Sequence, residues 1–191
     1  MSGADQSATV VQVPEVATVI AFRTTAERRS DLIVVGPRTR GSYHPGKALP
    51  ICIRMRLRAG RARALLGVPV SELVDRVVPL VDLWGRAAWR LTEAVVAAGD
   101  DSELALSRIA GAFAVQAPEP ENPLLPTAMR ELTASSARLA DVAGRVGVSE
   151  RHLRNVFARE VGLSPRHFAR ISRLRKVLAL AGRRRAPAGG R

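Results

Sequence analysis

The stretch DVAGRVGVSERHLRNVF, residues 141–157, decides how the carboxy-terminal part of this chain folds. Two short helices that cross near a right angle need a small residue where they touch. They also need a residue tolerant of positive φ at the turn and apolar residues around both contacts. Ala143 is the small residue, and Gly147, four positions later, is the turn. Val142, Val146, Val148, Leu153 and Val156 fall at the positions to be buried. Ser149 stands just before the second helix, where its hydroxyl can accept from unpaired backbone N–H groups. The spacing predicts helices over ARLADVAGRV (137–146) and SERHLRNVFAREV (149–161), joined as a helix-turn-helix.

In such a pair the second helix lies in the major groove of DNA, and its early residues reach base edges. Leu153, Val156 and Phe157 must point inward. That leaves Arg151, Arg154 and Asn155 outward, with Glu150 and His152 at the edge of the same face. Arginine pairs bidentately with guanine O6 and N7, and asparagine with adenine N6 and N7. Glu150 can accept from cytosine N4 or simply favour the helix amino terminus. His152 reads equally as a base contact or as a solvent-facing residue.

Working outward, the next helix also starts cleanly, with Ser164 as cap and Pro165 at the first helical position of PRHFARISRLRKVLALAG (165–182). Phe168, Ile171, Leu174 or Val177, and Leu178 recur at helical spacing and should pack on the preceding pair. Arg166, Arg170 and Arg173 take other faces, as do Arg175 and Lys176. With Ser149, the first three are the expected phosphate-positioning residues. The ending GRRRAPAGGR reads as a flexible basic tail.

Charge agrees with this placement. The chain has 191 residues, with 30 Lys and Arg against 17 Asp and Glu, a formal net charge of +13. Residues 1–127 carry 15 basic and 13 acidic side chains; residues 128–191 carry 15 and 4. The positive field lies in the last third and points to an anionic polymer, double-stranded DNA, as partner. Apolar residues at 47% and charged residues at 25% are ordinary for a globular chain. No apolar run is long enough for a membrane span. The amino terminus lacks the basic start and apolar block of a secretory signal, so the cytoplasm is the expected location.

The remainder reads as a β-rich domain with helices. Residues 1–13 are polar or small and expected to be mobile. VATVIAF (16–22) and DLIVVG (31–36) are β-branched runs, and ICIRMRLR (51–58) alternates strictly between apolar and polar residues. Arg54, Arg56 and Arg58 could form a binding ridge on that strand; a solvated strand face is the expectation. Helices are predicted at SELVDRVV (71–78) with Ser71 as cap, from about Asp82 through GRAAWRLTEAVVAAG (85–99) with Gly99 as stop, and at ELALSRIAGAF (103–113) with Ser102 as cap. VQAPEPENPLLP (115–126) holds four prolines and reads as a linker. The expected layout is a sensor and dimerisation domain at 14–114, the linker at 115–126, a DNA-binding domain at 127–182 and the tail at 183–191.

Enzyme chemistry is not expected. His44, His152 and His167 are dispersed without metal-ligand spacing, and no Gly-rich phosphate loop or nucleophile elbow occurs. The single cysteine, Cys52, excludes a disulfide framework and has no evident base partner. Trp84 and Trp89 read as core residues rather than a ligand site. Catalytic residues, metal ligands and cofactors are all expected to be none.

The segment RLADVAGRVGVSERHLRNVFAREVGLSPRHFARISRLRKVLAL (138–180) closely resembles the first helix-turn-helix and connecting helix of AraC-type transcriptional regulators. The LADVA opening, GVS turn, HLRNVF helix and GLSP step fall in the family's order. LLGVPVSELVDRVVPLVDLWG (65–85) is similar to the sensor-side region of a subgroup of them. The resemblance implies an α+β chain: a cupin-like β-rich amino-terminal domain for effector binding or dimerisation, then an all-α DNA-binding domain. By position it places Arg151, Arg154 and Asn155 where the family reads bases. Family members carry two helix-turn-helix units, whereas one is found here, so the chain resembles a regulator shortened before the second, which implies that apolar residues such as Leu178 and Leu180 are exposed. It implies either a regulator using a single motif or a relative that partners full-length regulators without contacting DNA.

Overall fold

The computed structural model describes residues 9–45, 51–115, 122–134 and 137–185. The chain is mixed α+β, with two antiparallel sheets and eight α-helices among these residues. The larger sheet is built from β2 (Val19–Thr24), β3 (Ser30–Val35), β5 (Ile51–Arg56) and β6 (Val77–Pro79), in the order β5-β2-β3-β6. The smaller pairs β1 (Thr9–Gln12) with β4 (Ser42–Pro45).

Burial explains each strand's composition. In β2, Val19, Ile20, Ala21 and Phe22 are all buried, so this central strand is apolar on both faces. The alternation predicted for 51–58 is present: Ile51, Ile53 and Met55 pack on the core, while Cys52, Arg54 and Arg56 are exposed on the opposite face of β5. One face of the sheet, with Ile20, Phe22, Leu32 and Val34, joins a core supplied by helices. These are α1 (Ala62–Leu66), α2 (Leu80–Trp84), α3 (Arg86–Val96) and α4 (Ser102–Val115). The other face carries a separate buried group, Val19, Ala21, Ile33 and Val35.

Several expectations are corrected. The predicted helix at 71–78 is a 3-10 turn at Val70–Leu73 followed by β6, and no side chain caps the turn. The exposed edge of β3 wins over local helix propensity: Val78 pairs with Val34, and Arg76 O accepts from Gly36 N at 3.0 Å. The helical run from Asp82 breaks at Gly85 into α2 and α3, and α3 ends at Val96, before Gly99. Ser102 lies inside α4; Asp101 Oδ1 is the acceptor, taking Leu104 N–H at 2.9 Å. Trp84 packs on Phe113 with ring centroids 4.3 Å apart and donates to Leu65 O, but Trp89 is 62% exposed and is no core residue. The expected mobile start contains β1, because TVVQ finds a partner strand in SYHP.

The stretch predicted as a linker, 115–126, is described only at its two ends. Val115 ends α4, and α5 (Leu124–Ala134) takes up the final residues of the proline-rich stretch; 116–121 lie outside the described residues. Asn122 Oδ1 accepts from Leu124 N, and Pro126 sits in the first turn of α5, where its missing N–H breaks no helical bond. α6 (Leu139–Arg145), α7 (Glu150–Glu160) and α8 (Pro165–Arg185) complete the chain. The predicted basic tail begins as the end of α8; 186–191 lie outside the described residues.

The last four helices enclose a second core around Leu125, Leu132, Val142, Leu153 and Phe157. Phe157 and Phe168 meet edge-on at 5.5 Å. This core is docked on the first unit rather than tethered to it. Val16, Ala59 and Val74 pack against it, Arg63 pairs with Glu160 at 3.1 Å, and Arg175 of α8 pairs with Glu15 at 2.9 Å. Gly162 has φ 80°, and a Cβ there would lie 2.8 Å from Val70 O, so only glycine lets the two backbones approach this closely. Among the described residues no helix is long and apolar enough to cross a membrane.

Candidate nucleic-acid interface

α6 and α7 are separate helices joined by a short turn. Gly147 takes φ 72°, a left-handed conformation that a Cβ would strain. Around it, Gly147 N donates to Gly144 O and Val148 N donates to Ala143 O, so the carboxy end of α6 is satisfied as the chain reverses. Ser149 is extended (φ −72°, ψ 153°), and its Oγ accepts from His152 N at 3.1 Å, as its position before the helix predicts.

Packing fixes which edge of α7 faces outward. Val142, Ala143, Leu153, Val156 and Phe157 are buried, while Val146 and Val148 are half-buried. Arg151, His152, Arg154 and Asn155 are exposed, and Glu150 is half-buried. Glu150 and Arg154, one turn apart, form an ion pair. The pair orients Arg154 and also places one negative charge beside it; exposed pairs of this kind contribute only about 0.3–0.5 kcal/mol.

The predicted base-reading residues divide between two surroundings. Arg151 and Arg154 project into solvent. His152 and Asn155, three residues apart, line a groove of about 480 Å³ between α7 and α1, along with Arg61, Arg63 and Arg159. Arg159 belongs to this flank by helical spacing, four residues beyond Asn155, and sequence reading passed over it. Arg61 and Arg63 had no such signal, since only the tertiary fold brings them to α7.

The predicted phosphate-positioning residues lie as follows. Ser149 is exposed, with its hydroxyl committed to the cap. Arg166, Arg170 and Arg173 are exposed on α8, and Arg173 Nε donates to Ala169 O one turn back. Ser164 caps α8 as predicted, its Oγ accepting from His167 N at 3.2 Å. The apolar stripe of α8 is shorter than its spacing predicts, while Leu178 and Leu180 are exposed as the absence of a second unit implies. Phe168 and Ile171 are buried, but Leu174, Val177 and Leu178 are exposed because the second core ends before they reach it. Among the described residues no group of His, Cys, Asp or Glu side chains is placed to hold a metal ion. Compared with known proteins, the chain matches no family model, no curated protein and no solved structure.

Proposed function

We propose that this chain is a sequence-specific DNA-binding transcriptional regulator of the AraC type, working through α6 and α7 as a single helix-turn-helix. The observation that carries the reading is the outward edge of α7. Arg151 and Arg154 are exposed to solvent, with Asn155 exposed at the rim of the α1 groove, on a capped helix that is fixed from behind by Leu153 and Phe157. Arginine and asparagine there have the donor geometry for guanine and adenine edges. Arg166 and Arg170 on α8 add phosphate contacts. The antiparallel sheets ahead of these helices support the cupin-like sensor and dimerisation role for the first unit.

The test begins with selection of a binding site from random duplexes, followed by anisotropy titration at several salt concentrations. Affinity should fall with a log–log slope of about −0.9 per phosphate contacted. Arg154→Ala should lose about 1–3 kcal/mol of discrimination at one base pair. Unchanged preference in that variant removes α7 as the reading helix. A second reading, a partner of other regulators that does not touch DNA, is favoured by the exposed stripe of Leu174, Val177 and Leu178. It expects no affinity beyond that of a scrambled basic peptide.

A further inference from the structure

A cavity of about 440 Å³ lies between β1 and the second face of the larger sheet. Val19 and Val35 form its floor and Val10 and Val13 one wall. Four guanidinium groups reach it from three separate segments. Arg38 follows β3, Arg54 and Arg56 stand on β5, and Arg175 comes from α8. Register explains the β5 pair: Arg54 is opposite Ala21 and Arg56 opposite Val19, so both point to the face that carries the cavity floor.

One carboxylate, that of Glu15, pairs directly with two of these four cations. Glu15 Oε1 accepts from Arg56 at 3.0 Å, and Glu15 Oε2 lies 2.9 Å from Arg175. Asp75, the other acid nearby, is occupied by Thr39, whose backbone N–H and hydroxyl both donate to it. The guanidinium groups of Arg38 and Arg54 therefore have no hydrogen-bonded carboxylate among the described residues. Burial, and then the neighbouring charge of Arg54, hold Arg38 below the ordinary guanidinium value, against the smaller opposing pull of Asp75 and Glu15. Arginine side chains carry a full positive charge in proteins. Two like charges held together beside an apolar floor are stabilised by an anion that accepts from both.

We propose that this cavity binds a small organic acid, its carboxylate on Arg38 and Arg54 and its apolar body against the exposed wall of Val10 and Val13. The volume is in the range of small-molecule sites and too small for a polymer. The exposed side chains of Val10, Val11 and Val13 along the wall separate this ligand from a bare inorganic ion, which would cover none of them.

The experiment is isothermal titration of the full chain with a panel of monocarboxylates, from butanoate to decanoate together with 3-phenylpropanoate. The uncharged amide of each acid and inorganic phosphate serve as separate arms. At least one acid should bind, its amide should bind at least tenfold more weakly, and phosphate should not match it. Arg38→Gln and Arg54→Gln should each weaken that acid about tenfold, while Arg29→Gln, outside the cavity, should leave it unchanged. Thermal melts of the variants report whether each is folded; Arg54, exposed on an edge strand, keeps the test valid if Arg38→Gln does not fold. Absence of binding by every acid, equal binding of acid and amide, or an unaltered affinity in folded Arg54→Gln overturns the proposal. Phosphate binding as tightly as the acids also overturns it, replacing an organic acid with a simple anion.

Discussion

Arg151 and Arg154 stand three residues apart on one helix and face solvent, whereas Arg38, Arg54, Arg56 and Arg175 converge from three segments on a cavity. The side chain is the same and the supporting geometry differs. The α7 set rides on a rigid rod with open space beside it, which suits a partner larger than the protein. The cavity set surrounds an apolar floor and suits a partner smaller than the space. Each set also contains one carboxylate of its own, Glu150 in the first and Glu15 in the second. Positive charge alone therefore specifies no ligand; what the guanidinium groups face does.

The strongest way to break this comparison is to remove the support of the α7 set. Phe157 is fully buried and meets Phe168 edge-on. Phe157→Ala should cost about 3–5 kcal/mol, from lost transfer energy and the cavity left behind. Urea denaturation should show a lowered midpoint, and DNA affinity should fall with it although no arginine has changed. A smaller loss is expected at the contact between the units. Gly162→Ala would force a left-handed alanine against Val70 O and should cost about 2 kcal/mol. Hydrogen exchange should then rise in both Val70–Leu73 and the end of α7, because one contact protects both.

The two sets were not equally legible in the sequence. Gly147 and Ser149 act on neighbours within a few residues, and Leu153, Val156 and Phe157 recur at helical spacing, so this local pattern carried the α6–α7 turn and its outward edge. The edge of α7 that meets α1 was not legible, because Arg63 and Glu160 are joined only by docking of the two units. The misread segment 71–78 has the same origin: its strand is dictated by β3, some forty residues earlier in the chain. Alternation in 51–58 revealed which way Arg54 and Arg56 point, but not that Arg38 and Arg175 meet them. Trp89 falls on α3 like the buried Ala88, and only the packing of that helix decides which of the two is covered. Local chemistry was readable, and contacts between distant segments were not.

A finer probe is the cap. Ser149→Ala removes the acceptor for His152 N–H and should cost about 1 kcal/mol. The affected turn holds Glu150, Arg151 and His152, so fraying there should reduce discrimination between DNA sequences more than total affinity. The phosphate contacts proposed for α8 would not depend on that turn. A variant that lost affinity and discrimination equally would argue that α7 contributes charge and not base reading.

The smallest effects on stability belong to the two carboxylates, and they sharpen the comparison most. Glu150→Gln removes an exposed ion pair and one favourable charge at the amino terminus of α7, together worth about 1 kcal/mol or less. It also frees Arg154 and removes a charge that repels phosphate, so DNA affinity should rise while organic-acid affinity stays constant. Glu15→Gln should do the reverse. Its side-chain carbonyl can still accept from Val16 and Ala17 N–H, but Arg56 and Arg175 lose their anionic partner. Acid binding should then tighten severalfold, measured by the same titration. If instead each substitution shifted both affinities together, the two arginine sets would be parts of one electrostatic field rather than two sites.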